Sequence, residues 1–315
     1  VIEYLMKYWS NADKLRSYFD GKVAGYLHAN YPISKISWFR VGGCAELLFK
    51  PKDINDLKNF LVIKPSDVPV TILGGVSNTL VRDYGISGIV IILDRAFNYI
   101  NMNSHGSIEC GGAIPSKKIS NYAIKNNLGG LSFLNTIPGT FGGAVKMNSG
   151  AYGMEVADIL LSAKFIDMRA NVVEISSSDM SYGYRSSNIS DEMICVSATI
   201  KGSIKNREEI IQEINSYKTH RDAAQPIKER TGGSTFKNHV DIKAWELINS
   251  SGLSGYKIGG AMISPIHNNF FINTGNASAK DFEKLGEFVI HEVEKHHGIR
   301  LEWEIHLIGD SIDEI

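Results

Sequence analysis

The sequence predicts an α+β protein with more than one domain, and three observations lead to that prediction. The chain has 315 residues, more than the ~100–200 residues of a typical domain. Short runs rich in β-branched residues are concentrated in the middle of the chain, whereas amphipathic helical patterns dominate its last third. Hydrophobic residues make up 43% and charged residues 21% of the chain, a balance that favours a globular protein over a disordered or fibrous one.

The N-terminal part is expected to form a small α+β unit. Asn11 is expected to cap a helix over ADKLRSYF, and Asp53 a second helix over INDLKNFLV, because such side chains accept main-chain N–H groups at a helix start. The segment Ala45–Pro51 (AELLFKP), between them, is predicted to be a strand.

The middle of the chain is predicted to be rich in β-sheet. A helix is expected over Ile114–Asn127, with Pro115 in its first turn. Strands are expected at Val70–Gly74, at Ile89–Leu93, on both sides of the turn Arg169-Ala170-Asn171, and at Met193–Ile200.

The last third is predicted to be mainly helical. The helix over Asn206–Ala224 is the candidate domain boundary, and further helices are expected over Asp241–Ser250 and Ser278–His297. Gly298 is expected to end the last of these, because glycine readily adopts the left-handed conformation that terminates helices. A final strand is predicted over Arg300–Ile308.

Composition and charge exclude several classes of protein. A net charge of −1 provides no overall field that would attract nucleic acid or an anionic membrane. The longest apolar run, Ile86–Leu93, is far shorter than the ~20 residues of a membrane helix. Cys44, Cys110 and Cys195 are odd in number and widely spaced, which argues against a disulfide framework and for a reducing compartment. The first residues lack the apolar region of a secretory signal, so we expect a cytoplasmic protein with neither membrane nor nucleic acid as a partner.

Familiar metal and nucleotide motifs are absent from the sequence. The segment His291–His296 (HEVEKH) has one residue too many for the zinc motif HExxH. Five residues turn ~140° around a helix, so the two histidines do not share a face, and we expect no metal site. Neither GxGxxG nor GxxxxGK[ST] occurs, which argues against a Rossmann cofactor site and a P-loop.

Two glycine-rich segments are the main candidates for ligand binding. GGVSN (Gly74–Asn78) follows a predicted strand, where main-chain N–H groups and small polar side chains can surround a diphosphate; an ordinary turn is the alternative. NTIPGTFGGAVKMNSGAYG (Asn135–Gly153) carries a single charged residue, Lys146. Its glycines would let a flat ligand approach the main chain closely, although a tight crossover without a ligand also explains them.

Six motifs together resemble the UDP-N-acetylenolpyruvoylglucosamine reductase family. They occur in the family's order and cover roughly Ile36–Gly309, namely FRVGG, GGVSN, IPGTFGGAVKMNSGAYG, YGYRSS, GGSTFKN and LEWEIHLIG. No tyrosine-bearing insertion follows Gly153, so the chain resembles the shorter subclass of the family.

The resemblance implies an FAD-binding fold of the vanillyl-alcohol-oxidase type. Two α+β FAD-binding subdomains would span residues 1–66 and 67–205, and a C-terminal α+β substrate-binding domain would span residues 206–315. The expected FAD contacts are Arg40, Gly42, Gly74, Gly75, Ser77, Asn78, Pro138, Gly139, Thr140, Gly142, Gly143, Asn148 and Gly150.

The implied reaction is NADPH-dependent, FAD-mediated reduction of UDP-N-acetylglucosamine enolpyruvate to UDP-N-acetylmuramate in peptidoglycan precursor synthesis. Hydride would pass from reduced flavin to C3 of the enolpyruvyl group, and Ser234 would deliver a proton to C2. Arg185 and Glu304 would stabilise the carboxylate, with Arg185 binding it in bidentate fashion as charge develops. Glu302, two residues away on the predicted strand, is the competing acidic residue, and Glu304 is preferred because its spacing matches the family.

Substrate contacts and departures from the family pattern complete the expectations. The expected substrate-binding residues are Tyr184, Gln225, Lys237, Asn238, Tyr256, Lys257, His267 and Asn269. His267 is equally well explained as a structural histidine. The departures are Val76 for a usual glycine, His239 and Trp303 for usual prolines, and His306 for a usual arginine.

Two other functions stay open at this stage. One is a flavin-dependent alcohol oxidase of the same superfamily, although GGVSN offers no histidine or cysteine for a covalent flavin. The other is a nucleotide-sugar-binding regulator without catalysis, against which the retention of Arg185, Ser234 and Glu304 speaks. The expected partners are small molecules, and the oligomeric state is left open, with a monomer compatible with the sequence.

Overall fold

The computed structural model describes residues 12–103 and 106–311, which form two compact units. The first unit comprises the described residues up to Tyr31 together with Glu46–Gly75 and Gly88–Thr219. The second comprises Pro32–Ala45, Val76–Ser87 and the described residues from His220 onward. The chain therefore passes from one unit to the other several times, and the division into three consecutive domains stays a prediction.

Helices are interspersed among short runs of consecutive strands along the described chain. The helices are α1 (residues 12–19), α2 (Ile54–Ile63), α3 (Ser116–Lys125), α4 (Phe141–Lys146), α5 (Val156–Ile159), α6 (Arg207–Ala224), α7 (Ala244–Ser250) and α8 (Ala279–His297). The strands before α4 are β1 (Tyr26–Pro32), β2 (Cys44–Lys50), β3 (Val70–Leu73), β4 (Thr79–Val81), β5 (Ile86–Ile92), β6 (Ile100–Met102), β7 (Ser107–Gly111) and β8 (Leu128–Gly129). Those after α4 are β9 (Gly150–Ala151), β10 (Met154–Glu155), β11 (Leu160–Ile166), β12 (Val172–Ser176), β13 (Ile194–Lys201), β14 (Ser203–Ile204), β15 (Arg230–Ser234), β16 (Lys257–Ile258), β17 (Ala261–Ile263), β18 (Phe270–Asn273) and β19 (His306–Ile308).

Two sheets organise the first unit. One has the strand order β1-β2-β5-β3, with β3 and β5 parallel, and the other has the order β12-β11-β13-β7-β6 with antiparallel neighbours. Phe60 of α2 stacks on Phe49 with ring centroids 4.0 Å apart and on Phe19 at 4.6 Å, so burial of its aromatic face attaches α2 to the core. A second core surrounds α3 and α4 and includes the fully buried Phe141.

The second unit is built around α8 and a four-stranded sheet. The strand order is β15-β18-β17-β16, and β19 forms a separate parallel pair with β4. Phe282, Leu285, Val289 and Val293 of α8 are buried in one cluster with Phe271 of the sheet. The predicted amphipathic face of this helix is therefore confirmed.

Local signals located most helix ends correctly. Asp53 caps α2, with its side chain accepting from the N–H groups of Asn55 and Asp56, as predicted. Ser278 caps α8, and Gly298 ends it with a φ of 68°. The expected cap Asn11 lies outside the described residues.

The predicted strand over Arg300–Ile308 is wrong for its first six residues. Only His306–Ile308 form a strand, whereas Trp303 makes a single isolated bridge with Phe236. Glu302 and Glu304 therefore do not lie on a regular strand face.

Within residues 12–103 and 106–311, no helix is long and apolar enough to cross a membrane. The same residues contain no group of three or more histidine, cysteine, aspartate or glutamate side chains that could hold a metal ion.

Candidate active site

The two glycine segments meet within the first unit. Gly74 and Gly75 follow β3, and a Cβ atom added to Gly75 would lie 2.6 Å from the Cα of Gly139. A Cβ added to Gly74 would lie 2.6 Å from the Oγ1 of Thr140. No side chain fits at these distances, so these glycines allow two loops to touch each other.

The entry to α4 is shaped by the turn Pro138-Gly139-Thr140. Gly139 has a φ of 82°, in the left-handed region that favours glycine, and Thr140 forms a bridge with Pro115 before α3. A Cβ added to Gly142 would meet the carbonyl oxygen of Gly112 at 2.9 Å, and the N–H of Gly142 donates to that oxygen. Gly142 is thus required for packing, and its expected contact with FAD stays a prediction.

Gly143, the next residue, presents main chain with space above it. The one atom within 4 Å of an added Cβ, apart from its own helix backbone, is Thr140 Oγ1 at 3.6 Å. Near the Pro115–Thr140 bridge, the buried hydroxyl of Ser116 has no hydrogen-bond partner among the described residues. Buried hydroxyls are normally hydrogen-bonded, so Ser116 lacks the usual partner; the open main chain at Gly143 is the feature that suits a flat cofactor such as FAD.

Asn148 has a buried side chain that bonds two separate segments of the first unit. The residue is fully buried, its Nδ2 donates to the carbonyl of Gly183 at 3.1 Å, and its Oδ1 accepts from the N–H of Ala157 at 2.9 Å. Both ends of the amide are therefore used within the protein. Asn148 thereby holds the turn at Gly183, and its expected contact with FAD stays a prediction.

Arg185 lies on a tight turn that is fixed to the hairpin of β9 and β10. Its Nη2 donates to the carbonyl of Gly150 at 2.9 Å, and its guanidinium lies 5.0 Å from the ring centroid of Tyr184. Arg185 has a φ of 53°, which is uncommon for a residue other than glycine and is typical of strained functional positions. The turn is held to α4 by Tyr182, whose hydroxyl donates to the carbonyl of Val145 at 2.9 Å. Burial raises the pKa of Tyr182, so the phenol stays neutral.

In the second unit, Ser234 ends β15 at an irregularity in the sheet. The register with β18 shifts between Thr231 and Ser234, and Gly233 between them has a φ of 88°. After this bulge the N–H of Thr235 donates to the carbonyl of Asn269 at 2.7 Å. Bulges commonly redirect a side chain at a functional site.

Glu304 is attached to the residue that follows Ser234. Its N–H donates to the carbonyl of Thr235 at 2.8 Å, and its own carbonyl accepts from Nδ2 of Asn78 at 3.0 Å. Glu302, the competing acidic residue, is exposed and pairs with the ammonium of Lys237 at 3.2 Å. The main chain of Glu304 is therefore bonded to the residue next to Ser234, whereas the carboxylate of Glu302 pairs with Lys237.

Several expected substrate residues have structural partners in the second unit. Asn269 is buried, and its amide bonds both the N–H and the carbonyl of Phe236. Asn238 accepts from the N–H of Ala244 at the start of α7, and Tyr256 stacks on Phe288 with centroids 4.5 Å apart. The structural role of Asn269 had no signal in the sequence, because its partner lies 33 residues away.

His267 is a neutral, packed histidine. Burial lowers its pKa, its ring lies 4.6 Å from that of Phe270, and its Nδ1 accepts from the N–H of Asn269 at 3.3 Å. An accepting Nδ1 is unprotonated, so any proton on the neutral ring is on Nε2.

The remaining expected residues are placed as follows. Arg40, with a φ of 59°, donates to the carbonyl of Lys35, and a Cβ added to Gly42 would lie 2.9 Å from the carbonyl oxygen of Val81. Gln225 accepts from Nε of Arg221 at 3.1 Å. Ser77 is buried and Lys257 is exposed on β16.

Comparison with known proteins identifies both parts of the chain. Residues 45–176 match the family model described as an FAD binding domain, and residues 225–308 match that of the UDP-N-acetylenolpyruvoylglucosamine reductase C-terminal domain. The reductase of that name from Parvibaculum lavamentivorans is 45% identical over 91% of this chain and 93% of its own length. The one from Rickettsia typhi is 42% identical over 92% of this chain and 98% of its own length.

A solved structure supports the same assignment. The crystal structure of UDP-N-acetylenolpyruvylglucosamine reductase from Thermus caldophilus superposes with a TM-score of 0.78 at 28% identity, covering 91% of this chain and 99% of that one. The predicted combination of an α+β FAD-binding fold with a C-terminal domain is confirmed.

Proposed function

The chain belongs to the UDP-N-acetylenolpyruvoylglucosamine reductase family, and we propose that it reduces UDP-N-acetylglucosamine enolpyruvate to UDP-N-acetylmuramate with NADPH as the reductant. The observation that carries this proposal is 45% identity to a reductase of that name over 91% of the chain. The reaction joins peptidoglycan precursor synthesis, and its nucleotide-sugar substrate and NADPH are supplied in the cytoplasm, where we propose that the protein acts.

FAD is the cofactor that this family fold implies, and the residues present suit it. We propose that Gly74, Gly75, Ser77 and Asn78 hold its diphosphate, and that the bare main chain at Gly143 faces its ring system. When bound, FAD takes up electrons from NADPH and supplies hydride to the enolpyruvyl group.

Arg185 is proposed to hold the substrate carboxylate. A guanidinium presents donors in a fixed plane that matches the two oxygens of a carboxylate. The hydrogen bond to Gly150 and the constrained turn limit the directions in which that plane can point. Since negative charge on the carboxylate increases during reduction at C3, a donor already in place stabilises the transition state more than the ground state.

Ser234 is proposed to give its hydroxyl proton to C2, with Glu304 as the acidic group beside it. A serine hydroxyl is a weak acid, so its contribution depends on position and on a hydrogen-bonded route that restores the proton. The bulge before Ser234 and the bond from Glu304 to Thr235 fix the main chain of both residues. Lys237 forms a surface ion pair with Glu302, the competing acidic residue.

The proton-donor role is tested by measuring the two half-reactions separately. In Ser234→Ala, reduction of the bound flavin by NADPH should stay within about twofold of the parent. Reoxidation by the enolpyruvyl sugar should slow by roughly 10²–10⁴, the usual contribution of general acid catalysis. Ser254→Ala, at an exposed turn, is the matched control and should change neither rate.

Other results would contradict the proposal in distinguishable ways. Equal slowing of both half-reactions would remove the proton-donor role. Protein that takes up no flavin would remove the cofactor assignment. Turnover of an alcohol by oxygen would indicate an oxidase, and nucleotide-sugar binding without flavin reoxidation would indicate a regulator.

A further inference from the structure

The main chain of Glu304 is held on both sides by residues from distant parts of the second unit. Its N–H donates to the carbonyl of Thr235 at 2.8 Å, directly after Ser234. Its carbonyl accepts from the side-chain amide of Asn78 at 3.0 Å. Rotation of the peptide groups on either side of Glu304 would break one of these bonds.

Asn78 bonds the same segment a second time, through its own main chain. The N–H of His306 donates to the carbonyl of Asn78 at 3.1 Å, and the parallel pair of β19 and β4 begins at the next position, with His306 opposite Thr79. Glu304 lies just before this regular pairing, where its carbonyl has no place in the strand ladder. The strand pair provides no hydrogen bond to the Glu304 carbonyl, and the side chain of Asn78 donates one instead.

The residue type at position 78 matters for this contact. A donor on a short side chain is required, because the acceptor is a main-chain carbonyl close to the start of β4. Aspartate has the same shape but presents oxygen to oxygen, and alanine leaves the carbonyl without this partner.

We propose that Asn78 is a positioning residue for Glu304, so that one asparagine connects the proposed diphosphate loop to the acidic group of the proton-transfer step. This inference rests on the proposed function, and it adds a role for Asn78 beyond cofactor binding. A catalytic group displaced by about 1 Å can lose on the order of 10²-fold in rate, so a second hydrogen bond on the Glu304 peptide has kinetic consequences.

The test is a double-mutant cycle on reoxidation of the reduced holoenzyme by the enolpyruvyl sugar. Asn78→Ala, Glu304→Gln and the double variant are each saturated with FAD, reduced, and mixed with substrate in single-turnover experiments. We expect Asn78→Ala to slow reoxidation about tenfold and Glu304→Gln to slow it further. The double variant should be within about twofold of Glu304→Gln alone, because Asn78 has nothing left to position.

Each outcome of the cycle decides the inference. If the two losses multiply in the double variant, Asn78 acts independently of Glu304 and the inference is overturned, while the proposed function stands. If Glu304→Gln reoxidises at the parent rate, the acidic role in the proposed function fails and the inference fails with it. The FAD dissociation constant of each variant is measured separately, so that weaker cofactor binding is not mistaken for slower chemistry.

Two further measurements keep the inference testable if Asn78→Ala retains too little flavin. Asn78→Ser keeps a small polar side chain in the loop but shortens the donor, and it should show the same lack of additivity with Glu304→Gln. Amide hydrogen exchange of the holoenzyme should be faster at Glu304 in the Asn78 variants; unchanged exchange would overturn the inference. Asn276→Ala, an exposed asparagine of the same unit, is the matched control and should alter neither exchange nor reoxidation.

Discussion

Gly143 and Gly75 are glycines for different reasons: Gly143 leaves room for a ligand, and Gly75 allows two loops to pack closely. Alanine substitutions at the two positions should distinguish these roles. At Gly143, the added methyl would meet Thr140 Oγ1 at an ordinary 3.6 Å. Because Gly143 lies within α4, alanine should stabilise the protein without cofactor, by up to ~1 kcal/mol. The same methyl would protrude from the surface proposed to face the flavin, where overpacking costs ~1–3 kcal/mol. We therefore expect FAD to bind roughly 5- to 150-fold more weakly to Gly143→Ala.

Gly75→Ala should behave in the opposite way. Its methyl would lie 2.6 Å from the Cα of Gly139, so the main chain of one loop must move. The free energy of unfolding without FAD should fall by ~1–3 kcal/mol. Urea unfolding without FAD and FAD titration by fluorescence quenching measure both quantities for each variant. FAD binding at parental strength in Gly143→Ala would refute the proposed flavin surface, and parental stability of Gly75→Ala would refute the contact between the loops.

Two further substitutions test how side chains fix the site. Asn148→Asp should lower the free energy of unfolding by ~1–3 kcal/mol and raise the KM for the nucleotide sugar, because a buried oxygen would then face the carbonyl of Gly183 in the turn that carries Arg185. Urea unfolding and steady-state kinetics measure the two effects, and an unchanged KM would show that Asn148 does not support substrate binding. Partial burial raises the pKa of Asp281, but hydrogen bonds from the N–H groups of Gly260 and Ser278 outweigh this effect and hold the pKa below its usual value. The stabilisation from Asp281 is therefore present above the ordinary aspartate pKa and is lost as pH falls through the lowered pKa, so the stability of Asp281→Asn should depend less on pH in the acid range. Urea unfolding between pH 2 and 5 measures this, and the same pH dependence in both proteins would contradict it.

Local chemistry accounts for the elements that the sequence located well. Asp53 and Ser278 accept N–H groups two or three residues ahead, and Gly298 ends α8 by its own conformation. Such signals are complete within a few residues, so a single sequence suffices to place these helix ends.

Features that depend on residues far away in the chain could not be predicted from the sequence. The segment before His306 lacks strand geometry because its bonds go to Thr235 and Asn78, the latter 226 residues away. The amide of Asn269 bonds the main chain of Phe236, 33 residues away, a support that no local pattern could indicate. Alternation of residue types carries no information about such long-range pairing.

Val76 shows the physical reason for a departure that the sequence could only flag. Val76 occupies a position at which the family usually has glycine. It adopts a φ of 48°, a conformation that is strained for a β-branched residue. Its carbonyl accepts from the N–H of Trp38 at 3.2 Å, and its side chain is buried. Burial of the valine offsets strain that glycine would avoid, so the turn is kept with a different residue.

Trp303 is accommodated by a compensating residue rather than by a vacant space. It replaces a usual proline beside Glu304, and its ring packs against Phe236 and Phe271 in the core of the second unit. A Cβ added to Gly286 of α8 would lie 2.0 Å from that ring, so the indole fits because α8 has a glycine there. Glycine in a helix interior costs ~1 kcal/mol relative to alanine, a cost that burial of an indole can exceed. The indole thus fixes the chain between Glu302 and Glu304 by packing, where proline would fix it by restricting φ.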